Sequence, residues 1–230
     1  MSKEHSDHLV YKEVDFDPFG SNDVLMVPTT EAQREIWTNV QFGGHAANCA
    51  YNESVSLHIE GPFDVNALRN AVNLLFSRHS ALRSTFSKDG MHFFIAPEVH
   101  IDVPLIDLSN EKSTAIDIRL QQLLDDEAEH DFDLANGPLG KITLVKVAAV
   151  RYQLILTFHH IVCDGWSLGI IMQDLSKMYS ALVSGKPYDA PPAISYADYS
   201  ADEEKFLKST VTKLLKLSSN IQDLRTKLCL

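Results

Sequence analysis

Two imidazoles and a carboxylate crowd into the stretch Phe158-His159-His160-Ile161-Val162-Cys163-Asp164-Gly165-Trp166-Ser167. Histidine titrates near neutral pH, so these residue types suit a general base, an orienting group or a metal ligand. The residues before them, Tyr152 to Phe158, are mostly apolar and free of Gly and Pro, and read as a buried strand. Side chains alternate between the faces of a strand, so His159 and His160 reach one cavity only if the strand breaks between them. One is a candidate for chemistry and the other for scaffolding. Asp164-Gly165 signals a turn, and Ser167 stands at the N-cap position ahead of Leu168, Ile170, Ile171 and Leu175. The stretch is therefore strand, tight loop, helix.

Several chemistries lack their residues. No HExxH or CxxC spacing supports a metal site. Cys163 next to His160 lacks an activator and a third orienting group, and reads as a small loop filler. A Ser-His-Asp hydrolase needs its serine on a strained nucleophile turn, whereas Ser167, within Gly165-Trp166-Ser167-Leu168-Gly169, reads as a helix cap. What remains is a histidine acting as base or orienter on two bound substrates.

The elements that position this stretch belong to a globular chain of 230 residues with 45% hydrophobic content, enough for a sizeable core. Its net charge of −11 disfavours phosphate backbones and anionic membranes, so neither nucleic acid nor a membrane is an expected partner. No apolar stretch has signal-peptide or transmembrane length, and the cytoplasm is the expected location. Cys49, Cys163 and Cys229 are odd in number and scattered, hence free thiols.

Residues 1–23 read as an arm or linker, and the fold is expected to start near Val24. Pro28 to Trp37 begins a helix with a hydroxyl N-cap, which Gly43-Gly44 ends. Val55, Leu57 and Ile59 alternate in a strand that ends at Gly61-Pro62, and Asp64 caps an amphipathic helix running to about His79. Strands Leu82–Ser87 and Met91–Ala96 join through the hairpin signal Asp89-Gly90. An extended stretch through Val103 and Leu105 leads to a charged helix over Thr114–Asp131. Strands Lys141–Ala149 and Tyr152–Phe158 follow, then the motif and its helix to about Val183. The class is α/β, a mixed β-sheet packed with helices. A proline-containing connection then leads to a C-terminal helical tail over 200–230, with Leu207, Leu214, Ile221 and Leu228 seven apart in a partner-seeking stripe.

His159-His160-x-x-x-Asp164-Gly165 between a strand and a helix resembles the signature of the condensation domains of non-ribosomal peptide synthetases, within the chloramphenicol-acetyltransferase-like superfamily. Four further stretches resemble that family's motifs and fall in its order: Pro28 to Trp37, Arg78 to Phe86, Phe132 to Leu139, and Tyr196 to Tyr199. The resemblance covers about Val24 to Tyr199 and implies a chloramphenicol-acetyltransferase-like lobe.

The resemblance implies amide bond formation between aminoacyl or peptidyl thioesters held on the phosphopantetheine arms of upstream and downstream peptidyl carrier proteins, with no cofactor bound directly. It places His160 at the reacting amine, either accepting a proton or orienting the nucleophile and stabilising charge. His159 is structural. The family pairs the motif aspartate with an arginine of its second motif, so Asp164 is expected against Arg83 first and Arg78 second. Gly165 leaves room for the thioester carbonyl, where a backbone N–H faces the developing oxyanion. Trp166 is expected to pack. A complete condensation domain has two lobes, and this chain reads as the N-terminal lobe of 24–199, inactive without the second. The alternatives are a non-catalytic module that binds carrier proteins and a one-lobe, trimeric CoA-dependent acetyltransferase.

Overall fold

The computed structural model describes the backbone of residues 24–228 and the side chains of residues 24–213. The helical stripe beyond Leu207 (Leu214, Ile221 and Leu228) lies outside the described side chains.

Four strands form the main sheet: β2 (Asn52–Glu60), β5 (Leu105–Asp107), β6 (Gly140–Ala148) and β7 (Arg151–His159), in the order β2-β7-β6-β5. The β5–β6 pair is parallel and the others antiparallel, so the sheet is mixed as expected. β7 lies inside the sheet with layers on both faces, which explains its near-continuous apolar run. Leu154, Leu156 and Phe158 face the core built with α2 (Val65–Arg78) and α4 (Gly165–Val183). Ile155, on the opposite face, packs against Leu123 of α3 (Ser113–Ala128). Gly140 pairs with Phe158, and a Cβ there would meet the Phe158 ring at 2.5 Å, so only glycine lets β6 pass this aromatic.

The start of α2 follows from Asp64, whose Oδ1 accepts from the N–H groups of Asn66 and Ala67, leaving Leu68, Ala71, Val72, Leu75 and Phe76 to fill the sheet face. At about 1.5–3 kcal/mol for each large apolar side chain buried, this face outweighs any propensity difference along the helix.

A second, smaller sheet has the order β1-β4-β3, from β1 (Leu25–Pro28), β3 (Ser84–Phe86) and β4 (His92–Ile95). β3 and β4 are the expected hairpin. At its turn Gly90 has φ 68° and lies against the Trp37 ring, 2.4 Å from where a Cβ would sit. β1 carries no alternation of its own and exists through its pairing with β4. Against this sheet packs α1 (Glu31–Ala50), whose N-cap Thr30 and Gln33 make a reciprocal capping box. The helix breaks at Gly44, with φ 60° and ψ −147°, as Gly43-Gly44 led one to expect, and a second helical stretch then runs on to Ala50. α5 (Tyr196–Leu228) begins with the expected tyrosines, and its first turns pack near β1: Ala197 joins Val27 in one core and the Ser200 hydroxyl donates to the Pro28 carbonyl. The boundary expected after Tyr199 falls inside this helix.

Candidate active site

β7 ends at His159, and its register decides where the two histidines go. His159 follows Ile155 and Thr157 by twos, so it turns to the α3 side of the sheet and is fully buried, with Phe132 edge-on at 6.1 Å and Tyr51 tilted at 5.9 Å. Its Nδ1 accepts the Ile161 N–H at 3.2 Å. The remaining hydrogen therefore sits on Nε2, which has no partner. Burial pushes the His159 pKa down to about 4, helped by the neighbouring His160 and opposed by Asp131. At neutral pH His159 is an uncharged imidazole that pins the turn.

His160 leaves the strand on the other side. Its backbone N–H donates to the Tyr51 carbonyl at 2.8 Å, and its ring lies nearly parallel to the Tyr51 ring, 18° apart with centroids at 6.4 Å. Tyr51 is held in turn by Asn39, whose Nδ2 donates to the phenol oxygen. The His160 side chain is 35% exposed, and Nδ1 lies 3.0 Å from Oε1 of Glu53. One histidine is thus buried and the other accessible, as strand alternation requires.

Asp164 is the N-cap of α4. Its Oδ1 accepts from the Ser167 N–H at 2.7 Å and the Ser167 hydroxyl at 2.6 Å. Ser167, expected as the cap, sits three residues into the helix and donates to it. The Ser167 hydroxyl, then its N–H, hold the Asp164 carboxyl below the usual carboxylate range, with the His160 charge adding to this against a small opposing effect of burial.

The arginine expected opposite Asp164 is elsewhere. Arg78 pairs with Asp174 at 3.0 Å, and Arg83 donates from Nε to Ala96 O and from one terminal nitrogen to the Phe76 and Ser77 carbonyls. The physical reason is exposure: Asp164 is solvent-accessible, so its charge needs no buried counter-ion, and the helix N-terminus satisfies it. Arg83 ties the end of α2 to β4, and desolvation lowers its pKa. Both arginines therefore support the scaffold behind the motif without touching the aspartate.

Three other motif residues have clear places. Gly165 is exposed, and a Cβ there would meet nothing within 4 Å. Trp166, expected to pack, is 83% exposed, because the first turn of α4 projects it away from both cores. Cys163 is buried, and burial first, with the Asp164 and Glu53 charges, pushes its thiol up to about 12, which leaves it no nucleophile.

Sequence reasoning missed Glu53 and Tyr51. Both reach the site because β2 pairs with β7, Asn52 opposite His159 and Glu53 opposite Phe158, a partnership that local periodicity does not encode. A cleft of about 550 Å³ lined by Trp37, Val40, Asn48, Phe86, Phe132 and Leu134 is separate, since neither motif histidine lines it. Among the described residues no group of His, Cys, Asp and Glu could hold a metal ion, and no helix is long and apolar enough to cross a membrane.

Residues 25–215 match the family described as Condensation domain. The chain is 35% identical over 202 residues to chondramide synthase cmdD of Chondromyces crocatus, covering 86% of this chain and 5% of that protein. It is 33% identical over 188 residues to phosphinothricin tripeptide synthetase PhsC of Streptomyces viridochromogenes, covering 79% of this chain and 17% of that protein. The starter condensation domain of rhizomide synthetase RzmA superposes with a TM-score of 0.70 at 23% identity, covering 79% of this chain and 45% of that chain. The first condensation domain of the calcium-dependent antibiotic synthetase, in complex with a substrate analogue, gives 0.67 at 25% identity, covering 79% and 44%. The chain thus spans less than half the length of the solved structures it matches and a small fraction of the curated relatives. With the family match running from β1 into α5 and relatives above 30% identity in several synthetases, the chain belongs to the condensation domains of non-ribosomal peptide synthetases.

Proposed function

We propose that this chain is the histidine-bearing lobe of a domain that forms an amide bond between two carrier-bound thioesters, with His160 acting on the attacking amine. The observation that carries this is the division of labour at the end of β7: His159 is buried and neutral, whereas His160 is accessible beside the N-terminus of α4. In the step, the amine nitrogen of the downstream aminoacyl thioester bonds to the upstream thioester carbonyl carbon. The carbon–sulfur bond breaks, His160 takes the ammonium proton, and the proton passes to the leaving pantetheine sulfur. Gly165, with open space over its Cα, lets the carbonyl approach the first N–H groups of α4, which suit the developing oxyanion. Asp164 caps that helix and keeps the loop in place. The phosphopantetheine arms and their carrier proteins are the substrates' supports and not resident cofactors.

Catalysis on this reading requires the part of a condensation domain that the chain does not span, because two thioester arms need a second wall to hold them and exclude water. The test is a two-carrier condensation assay with this lobe joined to the remainder of its domain. His160→Ala is expected to lower the rate about a hundredfold or more, while His159→Ala lowers soluble yield and stability. Wild-type rates in His160→Ala at saturating substrate would remove His160 from the chemistry, and full activity of the 230-residue chain by itself would remove the need for a second wall.

A further inference from the structure

Glu53 is the second residue of β2, the edge strand of the main sheet, and is paired with Phe158. That register brings its carboxylate beside the turn that follows β7, where Oε1 stands 3.0 Å from Nδ1 of His160. An ionised carboxylate only accepts hydrogen bonds, so the imidazole nitrogen that faces it is the one that carries a hydrogen. The other nitrogen, Nε2, then keeps its lone pair. In a histidine base this choice decides whether the working nitrogen can receive a proton at all.

The neighbouring charged and titratable groups are occupied otherwise. Asp164, at the N-cap of α4, spends Oδ1 on Ser167. His159, on β7, is turned inward and held by the Ile161 N–H. Cys163 is a buried thiol whose pKa is driven up. Tyr51 supplies a ring face and a backbone carbonyl, and its hydroxyl is taken by Asn39. Of the described carboxylates, Glu53 is the one at ion-pair distance from a His160 ring nitrogen.

We infer that Glu53 is the positioning residue of this site, fixing His160 with its hydrogen on Nδ1 and its Nε2 free to receive the proton of the attacking amine. The inference rests on the proposed role of His160. The contact as it stands has the distance of an ion pair without hydrogen-bond alignment, so the ring must turn about its Cβ–Cγ bond, a broad and soft torsion, to complete it. Both side chains are more than a third exposed, at 35% and 38%, so water screens the charge pair and the effect of Glu53 is orientation rather than stability.

Nitrogen-15 NMR of the histidine rings in the full 230-residue chain, at a pH where the rings are neutral and with His160→Asn to assign the signals, reads the tautomer directly. The Nδ1–H form of His160 is expected to dominate in the wild type. Its ratio to the Nε2–H form is expected to fall about tenfold in Glu53→Val, which keeps a strand-forming residue at this edge position, and to fall also in Glu53→Gln, whose amide presents donor and acceptor alike. An unchanged ratio in either folded variant overturns the inference. In the two-carrier assay with the joined domain, Glu53→Val is expected to lower kcat about tenfold with KM unchanged. A ratio that moves in Glu53→Val while His160→Ala keeps the wild-type rate removes His160 as the base and leaves the Glu53 contact standing.

Discussion

Oδ2 of Asp174 accepts from two consecutive residues at once, Nε of Arg78 at 3.0 Å and Nε2 of His79 at 2.9 Å. Its other oxygen takes the Tyr188 hydroxyl at 3.3 Å, and the Arg78 guanidinium also lies over the Tyr188 ring and donates to Pro191 O. One carboxylate on α4 thereby gathers the end of α2 and the connection that leads to α5. Burial alone would raise the Asp174 pKa, but His79 and then Arg78 more than offset it, and the carboxyl sits below its ordinary value.

Removing Arg78 leaves this largely buried carboxylate with less than its charge requires. Arg78→Ala is expected to cost on the order of 3 kcal/mol in urea unfolding, whereas Asp164→Ala, the loss of an exposed helix cap, is expected to cost about 1 kcal/mol. The double-mutant cycle separates the two assignments. Arg78→Ala and Asp174→Ala are expected to couple strongly, and Arg78→Ala and Asp164→Ala to add. Strong coupling between Arg78 and Asp164 would restore the pairing that the sequence suggested.

His159 makes stability depend on pH with a definite sign. Its pKa is about 4 in the folded chain and near 6.5 when unfolded. Between these values the unfolded chain binds the extra proton, so the contribution is fully present above pH 6.5 and is lost as pH falls towards about 4. The full loss is on the order of 3 kcal/mol. Burial lowers the His130 pKa as well, so it acts in the same direction, and the decisive quantity is the difference from a His159→Gln variant, which does not titrate. Urea unfolding at pH 7.5, 6 and 5 is expected to give a shallower dependence for His159→Gln than for the wild type. Parallel curves would mean that His159 is solvated or paired in solution.

What was legible in the sequence follows from how local each cause is. The caps at Thr30 and Asp64, the amphipathic face of α2 and the Asp89-Gly90 hairpin are set by residues within a few positions of one another, and each appears as expected. β7 showed itself by an apolar run, and the opposite fates of His159 and His160 followed from strand alternation. β1 was hidden, because four residues without alternation become a strand only when β4 lies beside them. Glu53 and Tyr51 were hidden for the same reason, lying more than 100 positions from the motif and joined to it by the β2–β7 register. The Asp164 pairing implied by the family resemblance failed because no local pattern reveals that the loop stands in solvent, where a carboxylate needs no buried counter-ion.

Trp166 tests how far that exposure extends. It is 83% exposed, and Ile170, one helical turn later, is 45% exposed, so the two form an apolar face of α4 directed away from the core. A large aromatic that contributes nothing to the core can be removed at little cost to folding. Trp166→Ala is expected to change stability by less than about 0.5 kcal/mol, against about 3–5 kcal/mol for a packed tryptophan. The chain holds two tryptophans, so Trp37→Phe leaves Trp166 as the sole indole emitter. Its fluorescence is expected at the wavelength of hydrated indole and fully open to acrylamide quenching. A blue-shifted, protected emission together with a stability loss of several kcal/mol in Trp166→Ala would place the ring inside a packed interface. With emission hydrated and stability unchanged, any loss of condensation in a joined-domain Trp166→Ala has to arise from what the ring contacts outside this chain, since folding has been shown not to need it.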